Sequence, residues 1–366
     1  MSVEFFLCSQ NCMQKLVIFI QKHTPIFYIL VNSSCLIIML QYKRIILLIG
    51  RFLTMVDRIF DKKNIIISKI QEDDLNSFLI DYDIDDNGNS LYQLEDFTKA
   101  IINTIPEYVF AQYENPNIPQ TDVIDKIREA AKSLYKIHDY DIMRRWYLEH
   151  DMSVKADIDK MGNSRRGEFG ELILHLLLRD FKNTIPLISK VYFKDTSGVP
   201  AHGFDAVHIT PQNGIMWLGE SKFYADSKQG VKALLKDINE HFKRDYLEEQ
   251  FVIIKKNVEN NSIPQRDEWI EKLIHCNKLS DKLNMINIPL LCTYPHDIYD
   301  LFDSFENDEA IEYHQKNIYE LKDYFDTNNK HPLKDRFNII LLLFPIRNKE
   351  ELIIKLHEKL WHMQNM

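Results

Sequence analysis

The chain has 366 residues, of which 45% are hydrophobic and 27% charged, and a formal net charge of −9. That is an ordinary globular composition, long enough for two or three domains or one large decorated one. The acidic balance excludes tight nucleic-acid binding by overall charge, because such affinity comes from neutralising phosphates. Any nucleic-acid role therefore needs a local basic patch, metal ions or a partner.

Residues 1–54 form a doubtful leader. Up to Arg51 its only acidic residue is Glu4, and Thr24 to Tyr42 carries no charge between Lys22 and Lys43-Arg44. That length can span a bilayer, but Pro25 and Asn32-Ser33-Ser34 interrupt it. Three readings stand: an upstream region translated ahead of a true start at Met55, a membrane or interfacial anchor, or a packed part of the fold. The five cysteines, Cys8, Cys12, Cys35, Cys276 and Cys292, match no zinc spacing and are odd in number. They read as reduced thiols of a cytoplasmic protein.

Residues 55–150 read as mainly helical, with one early strand at Asn64–Ile67. The acidic turn Asp81–Asn89 imitates a calcium loop through Asp83, Asp85, Asn87 and Gly88. Its twelfth position is Leu94 rather than a bidentate glutamate, so a solvated turn is the better reading. Pro116 to Pro119 marks a loop, and Val123 to Ile137 is helix-like.

Residues 151–260 hold the informative pattern. Gly167 to Asp180 reads as a largely buried helix, Pro186–Phe193 and His202–Ile209 as strands, Pro211-Gln212-Asn213-Gly214 as a turn, and Ile215–Phe223 as a third strand. A long charged helix follows from Asp226 to about Glu249. In the C-terminal region, 261–366, helices are expected near Asp267–Asn277 and Glu306–Phe325 and from Lys349 onward. Strands at Ile286–Thr293 and Asn338–Phe344 complete the sheet.

The turn sets a register. If Thr210 pairs with Ile215, Asp205 falls opposite Glu220, with Cβ atoms about 5 Å apart. Lys222, two residues on, shares the face of Glu220. Two opposed acids repel, so their presence in an apolar hairpin argues for a cation between them. The bland alternative is a surface ion pair between Lys222 and the acids. Phe204, Val207, Ile209, Trp217, Leu218 and Phe223 make the hairpin apolar enough to be largely buried, where charges are rarely placed without a reason, which favours the site over the ion pair. Glu168 and Glu171, three apart on the preceding helix, are candidates to assist, Glu171 first. Alternatively both simply favour a helix N-terminus. Arg165 and Arg166 precede them. Lys228, Lys232 and Lys236 form a basic stripe on the following helix, suited to phosphate contact or to pairing with Asp237 and Glu240 on a solvated face.

His357-Glu358 with His362 has the wrong spacing for a zinc protease helix. There is no phosphate-binding Gly-Lys-Ser/Thr loop and no dinucleotide fingerprint.

The combination Arg165-Arg166-Gly167-Glu168-Phe169-Gly170-Glu171, Gly203-Phe204-Asp205-Ala206 and Leu218-Gly219-Glu220-Ser221-Lys222 resembles the PD-(D/E)XK nuclease superfamily. Within it, the pattern is similar to the HamA family, the nuclease subunits of the Hachiman anti-phage defence system. The resemblance is close over about 160–245 and weaker over 55–366. It implies an α/β restriction-endonuclease-like core of helix, three-stranded antiparallel meander, helix and further strand, with a helical N-terminal and an α/β C-terminal extension. It implies catalytic roles for Asp205, Glu220 and Lys222, assisted by Glu171 and Glu168, and Mg²⁺ or Mn²⁺ held by Asp205, Glu220 and Glu171. It further implies DNA as substrate, with no small-molecule cofactor, and a HamB-like helicase partner that restrains cleavage until infection or DNA damage. Cleavage then stops infection at the cost of the cell. One departure is that the superfamily's Pro-Asp is Phe204-Asp205 here. The rival functional readings are a non-catalytic adaptor that docks a helicase or nucleic acid, and an RNA-directed nuclease.

Overall fold

A computed structural model describes residues 3–8, 15–20, 65–110, 120–134, 140–163, 167–188, 203–210, 214–260, 266–275 and 278–366. The chain divides into two units, Met1–Asp57 and Arg58–Met366. In the first, β1 (Val3–Cys8) pairs antiparallel with β2 (Lys15–Ile20). The charge-free stretch Thr24–Tyr42 and the loop at Pro116–Pro119 lie outside the described residues. No helix among the described residues is long and apolar enough to cross a membrane.

The second unit is built on a seven-stranded sheet. Its strands are β3 (Ile66–Gln71), β4 (Leu75–Ile80), β7 (Ile185–Ile188), β8 (Ala206–Thr210), β9 (Ile215–Phe223), β10 (Ile286–Pro295) and β11 (Asn338–Ile346), in the order β3-β4-β11-β10-β9-β8-β7. A separate hairpin joins β5 (Tyr82–Ile84) to β6 (Ser90–Tyr92). The four strands β4, β11, β10 and β9 run parallel. β8 and β7 continue from β9 as an antiparallel meander, and β3 closes the other edge antiparallel to β4.

Helices cover both faces. The N-terminal half supplies α1 (Leu94–Asn103), α2 (Ile105–Phe110), α3 (Val123–Leu134), α4 (Tyr140–Tyr147), α5 (Lys155–Asn163) and α6 (Gly167–Lys182). After the meander come α7 (Ser227–His241), α8 (Arg244–Asn260), α9 (Arg266–His275), α10 (Leu279–Leu283), α11 (Ile298–Leu301), α12 (Asp308–Asn328) and α13 (Lys349–Gln364). Period-two alternation divides the strands between two cores. Leu342 and Phe344 join Phe97, Leu174, Leu177 and Leu356 on the α6 face, whereas Leu341 and Leu343 join Leu218, Leu234, Ile238 and Phe325 on the α7 face. α6 is buried without interruption from Phe169 to Asp180, so no amphipathic stripe marks it.

Several expectations shift in detail. β4 was not anticipated, because Asn76-Ser77 breaks its apolar run. Both polar side chains find partners inside: Lys182 Nζ donates to Asn76 at 2.7 Å, and Ser77 Oγ lies 2.9 Å from His314 Nε2. The single helix expected from Asp226 to Glu249 is two, broken at Phe242. That ring is fully buried against Phe204 and Phe337, at 5.1 and 5.6 Å between centroids. Within the acidic turn, Asp85 Oδ1 accepts from Asn87 N and Asn89 N.

Candidate active site

The hairpin register is the one the turn implies, with Thr210 opposite Ile215 and Ala206 opposite Gly219. Gly214 closes the turn at φ +67°, a backbone region that disfavours side chains. The ladder ends at Ala206, one residue short of Asp205. There the Asp205 carboxylate takes over as acceptor, with Oδ2 receiving Ser221 N at 2.9 Å and Ser221 Oγ at 3.1 Å.

Glu220 and Lys222 point to the α7 face. Glu220 is 2% exposed, and its Oε1 lies 2.7 Å from His241 Nδ1 at the end of α7. Burial, then the nearby Asp205 charge, push its carboxyl up to about 7 despite the His241 contact. The bond to Glu220 raises the His241 imidazole above its usual range. Lys222 ion-pairs with Asp237 of α7. Burial works against the ammonium, but Asp237, Glu220 and Asp205 hold its pKa above the ordinary lysine value. Lys222 is therefore a firmly protonated cation.

Glu171 and Glu168 are on the opposite side of the sheet, on α6. The crossing is close: a Cβ at Gly170 would stand 3.3 Å from Ser221 Oγ, and one at Gly219 would stand 2.9 Å from Leu174 Cδ2. Tyr108 of α2 donates to Glu171 Oε2 at 2.8 Å. Burial, Glu171, Asp205 and Glu168 together raise the Tyr108 phenol well above its ordinary range, so it stays a donor. Asp205 thus stands at the strand end where the two faces meet. Behind Tyr108 runs a buried polar chain. Thr184 Oγ1 is 2.7 Å from His208 Nδ1, His208 Nε2 is 3.1 Å from His175 Nδ1, and Glu107 contacts His175 and Arg179 at 3.3 and 2.5 Å.

Of the remaining candidates, Arg165 and Arg166 lie outside the described residues. Lys228, Lys232 and Lys236 are exposed on α7, and Lys236 approaches Glu240 at 3.7 Å. Asp237, which the alternative reading paired with that stripe, is turned inward to Lys222. His241, Asp237 and Tyr108 were not singled out as site residues. Asp237 and His241 carried a signal, as polar residues at inward positions of an amphipathic helix; Tyr108 carried none.

A divalent cation suits this donor set in kind. Asp205, Glu220 and Glu171 offer carboxylate oxygens, and the repulsion between Asp205 and Glu220 is what a cation would relieve. Among the described residues no three His, Cys, Asp or Glu side chains are grouped as a metal cage. Asp205 is engaged by Ser221, Glu220 by His241 and Glu171 by Tyr108.

These features define an α/β protein with an acidic, lysine-bearing cluster where an antiparallel hairpin meets a parallel sheet. More particularly, the chain belongs to the HamA family, whose model matches residues 57–360, and so to the Hachiman anti-phage defence components. Comparison with curated proteins gives no match.

Proposed function

We propose that the chain is a metal-dependent DNA nuclease of the PD-(D/E)XK type, the effector of its defence system under the control of a HamB-like helicase partner. One observation carries the reading: Glu220 and Lys222 stand on one face of β9, with Asp205 beside Glu220 at the end of the neighbouring strand. The order α6, β7, β8, β9, α7, with β10 added parallel to β9, supports it as the order such a core takes.

Asp205 and Glu220 would hold Mg²⁺ or Mn²⁺, with Glu171 joining from the α6 side at the strand end where Asp205 stands; when bound, the ion supplies Lewis-acid polarisation of the phosphodiester. Lys222, kept protonated and oriented by Asp237, stabilises negative charge on the phosphoryl oxygens. Lys228 and Lys232 offer phosphate contacts on the exposed side of α7. With a net charge of −9, the chain depends on its partner for DNA engagement.

The test is cleavage of single- and double-stranded DNA, with RNA in parallel, by the chain and its helicase partner in Mg²⁺. Wild type should cut DNA, EDTA should stop it, and E220A/K222A should lose at least about a hundredfold. A double variant that still cuts and still protects cells overturns the assignment, and cleavage of RNA alone replaces the substrate. The adaptor reading draws on the engagement of each carboxylate by a protein donor. It expects Mn²⁺ calorimetry to show no difference between wild type and D205A.

A further inference from the structure

On the inward face of α7, Val231, Leu234 and Ile238 are apolar and fully buried. Asp237 and His241 are the polar exceptions on that side of the helix. On the facing strand, Glu220 and Lys222 follow the apolar Met216 and Leu218. The four polar exceptions pair one to one, Glu220 with His241 and Lys222 with Asp237.

The pairing follows from spacing. Four residues of helix rise about 6 Å. Two residues of strand rise about 6.6 Å. One helical turn of α7 therefore matches one period of β9, and two contacts form together only when helix and strand hold a single axial register.

The His241 ring is fixed from the other side. Tyr246, at the start of α8, stacks on it at 4.9 Å between centroids and 12° between planes. Phe204, the residue before Asp205, meets it edge-on at 6.4 Å. The imidazole is thus held between the break after α7 and the approach to β8, with Nδ1 aimed at Glu220. Asp237 is 8% exposed, whereas Lys236, Asn239 and Glu240 around it are exposed.

We infer that Asp237 and His241 are positioning residues of the site: His241 orients the Glu220 carboxylate for a divalent cation, and Asp237 orients the Lys222 ammonium for the phosphate. This rests on the nuclease reading and adds two residues to it. Partners that orient a ligating carboxylate typically contribute ten- to hundredfold in metal affinity.

The experiment is calorimetric titration of the full chain with Mn²⁺, for wild type, H241A, H241N, E220Q and E220Q/H241A, with thermal melts as a folding control. H241A should bind Mn²⁺ about tenfold more weakly. H241N, whose side-chain amide can donate from the place of Nδ1, should recover most of that loss. E220Q/H241A should bind no more weakly than E220Q, because His241 acts through Glu220. In DNA cleavage with the partner present, D237N should lower kcat with little change in KM. Wild-type binding that H241A leaves unchanged, or an H241N as weak as H241A, overturns the assignment of His241 and leaves the nuclease reading standing. Wild type that binds no Mn²⁺ removes the metal site itself, and the inference with it. Unchanged D237N turnover overturns the role of Asp237.

Discussion

Tyr108 donates a 2.8 Å hydrogen bond to Glu171, joining α2 to the helix that leads into the hairpin. Tyr108 is 4% exposed and also packs edge-on against His175, 5.3 Å between ring centroids. Tyr108→Phe removes the hydroxyl while keeping the ring. A hydrogen bond to a charged group contributes about 1.5–3 kcal/mol, so urea unfolding of Y108F should show a loss of that order. A change under about 0.5 kcal/mol sinks the idea that this bond fastens α2 to α6.

Glu220 should make the metal-free protein less stable as pH rises. Its carboxyl sits at about 7 in the folded chain against 4.5 ordinarily. Between those values the folded state holds the proton more tightly, so stability falls as pH climbs from about 4.5 to 7. At 1.36 kcal/mol per pKa unit the full effect is on the order of 3 kcal/mol. His241, raised by the same contact, loses its contribution in the same upward direction. Glu220→Gln in EDTA should therefore melt several degrees above wild type at pH 8, with the gap closing towards pH 5. A gap that does not vary with pH contradicts the assigned cause.

His208 predicts the opposite slope. Burial, then His175 and Arg179, hold its imidazole well below the ordinary 6.5. The unfolded chain takes up a proton that the folded chain refuses, so stability is lost as pH falls below about 6.5. In an E220Q background, free of the Glu220 effect, stability should drop between pH 6.5 and 5. His208→Gln should start lower and show a flatter profile. Parallel profiles for the two proteins would remove His208 as the source.

Gly219 lets α6 approach the strand next to Glu220. A Cβ there would lie 2.9 Å from Leu174 Cδ2 and 3.1 Å from Pro289 Cγ. The leucine can rotate, but the proline ring on β10 cannot. Gly219→Ala should cost about 1–3 kcal/mol through overpacking. Adding Leu174→Ala should not rescue it fully, since Pro289 remains. A neutral G219A in denaturant unfolding would show that the crossing has slack.

The local hairpin was legible because its signals are local. The turn ending in Gly214 and the alternation of Val207, Ile209, Met216 and Leu218 define pairing and faces together, and they put Glu220 and Lys222 side by side. The same local logic missed β4, whose Asn76 and Ser77 look unfit for a buried strand until Lys182 and His314 are seen to meet them. It also ran α7 and α8 together, because Lys243 and Arg244 suit a helix, whereas the backbone leaves helical geometry at Phe242 (φ −106°, ψ 22°), whose ring packs against Phe204 and Phe337.

By itself, then, the sequence determined the α/β class, the hairpin register and the shared face of Glu220 and Lys222, since strand periodicity and turn chemistry act between near neighbours. Tertiary structure alone decided what those residues touch. It put Asp205 at a strand end against Ser221, Glu171 across the sheet beside Tyr108, His241 over Glu220 and Asp237 over Lys222. The reason is physical: side-chain direction along one element is a local property, but the distance between a helix and the strand it crosses is set by packing across the whole core.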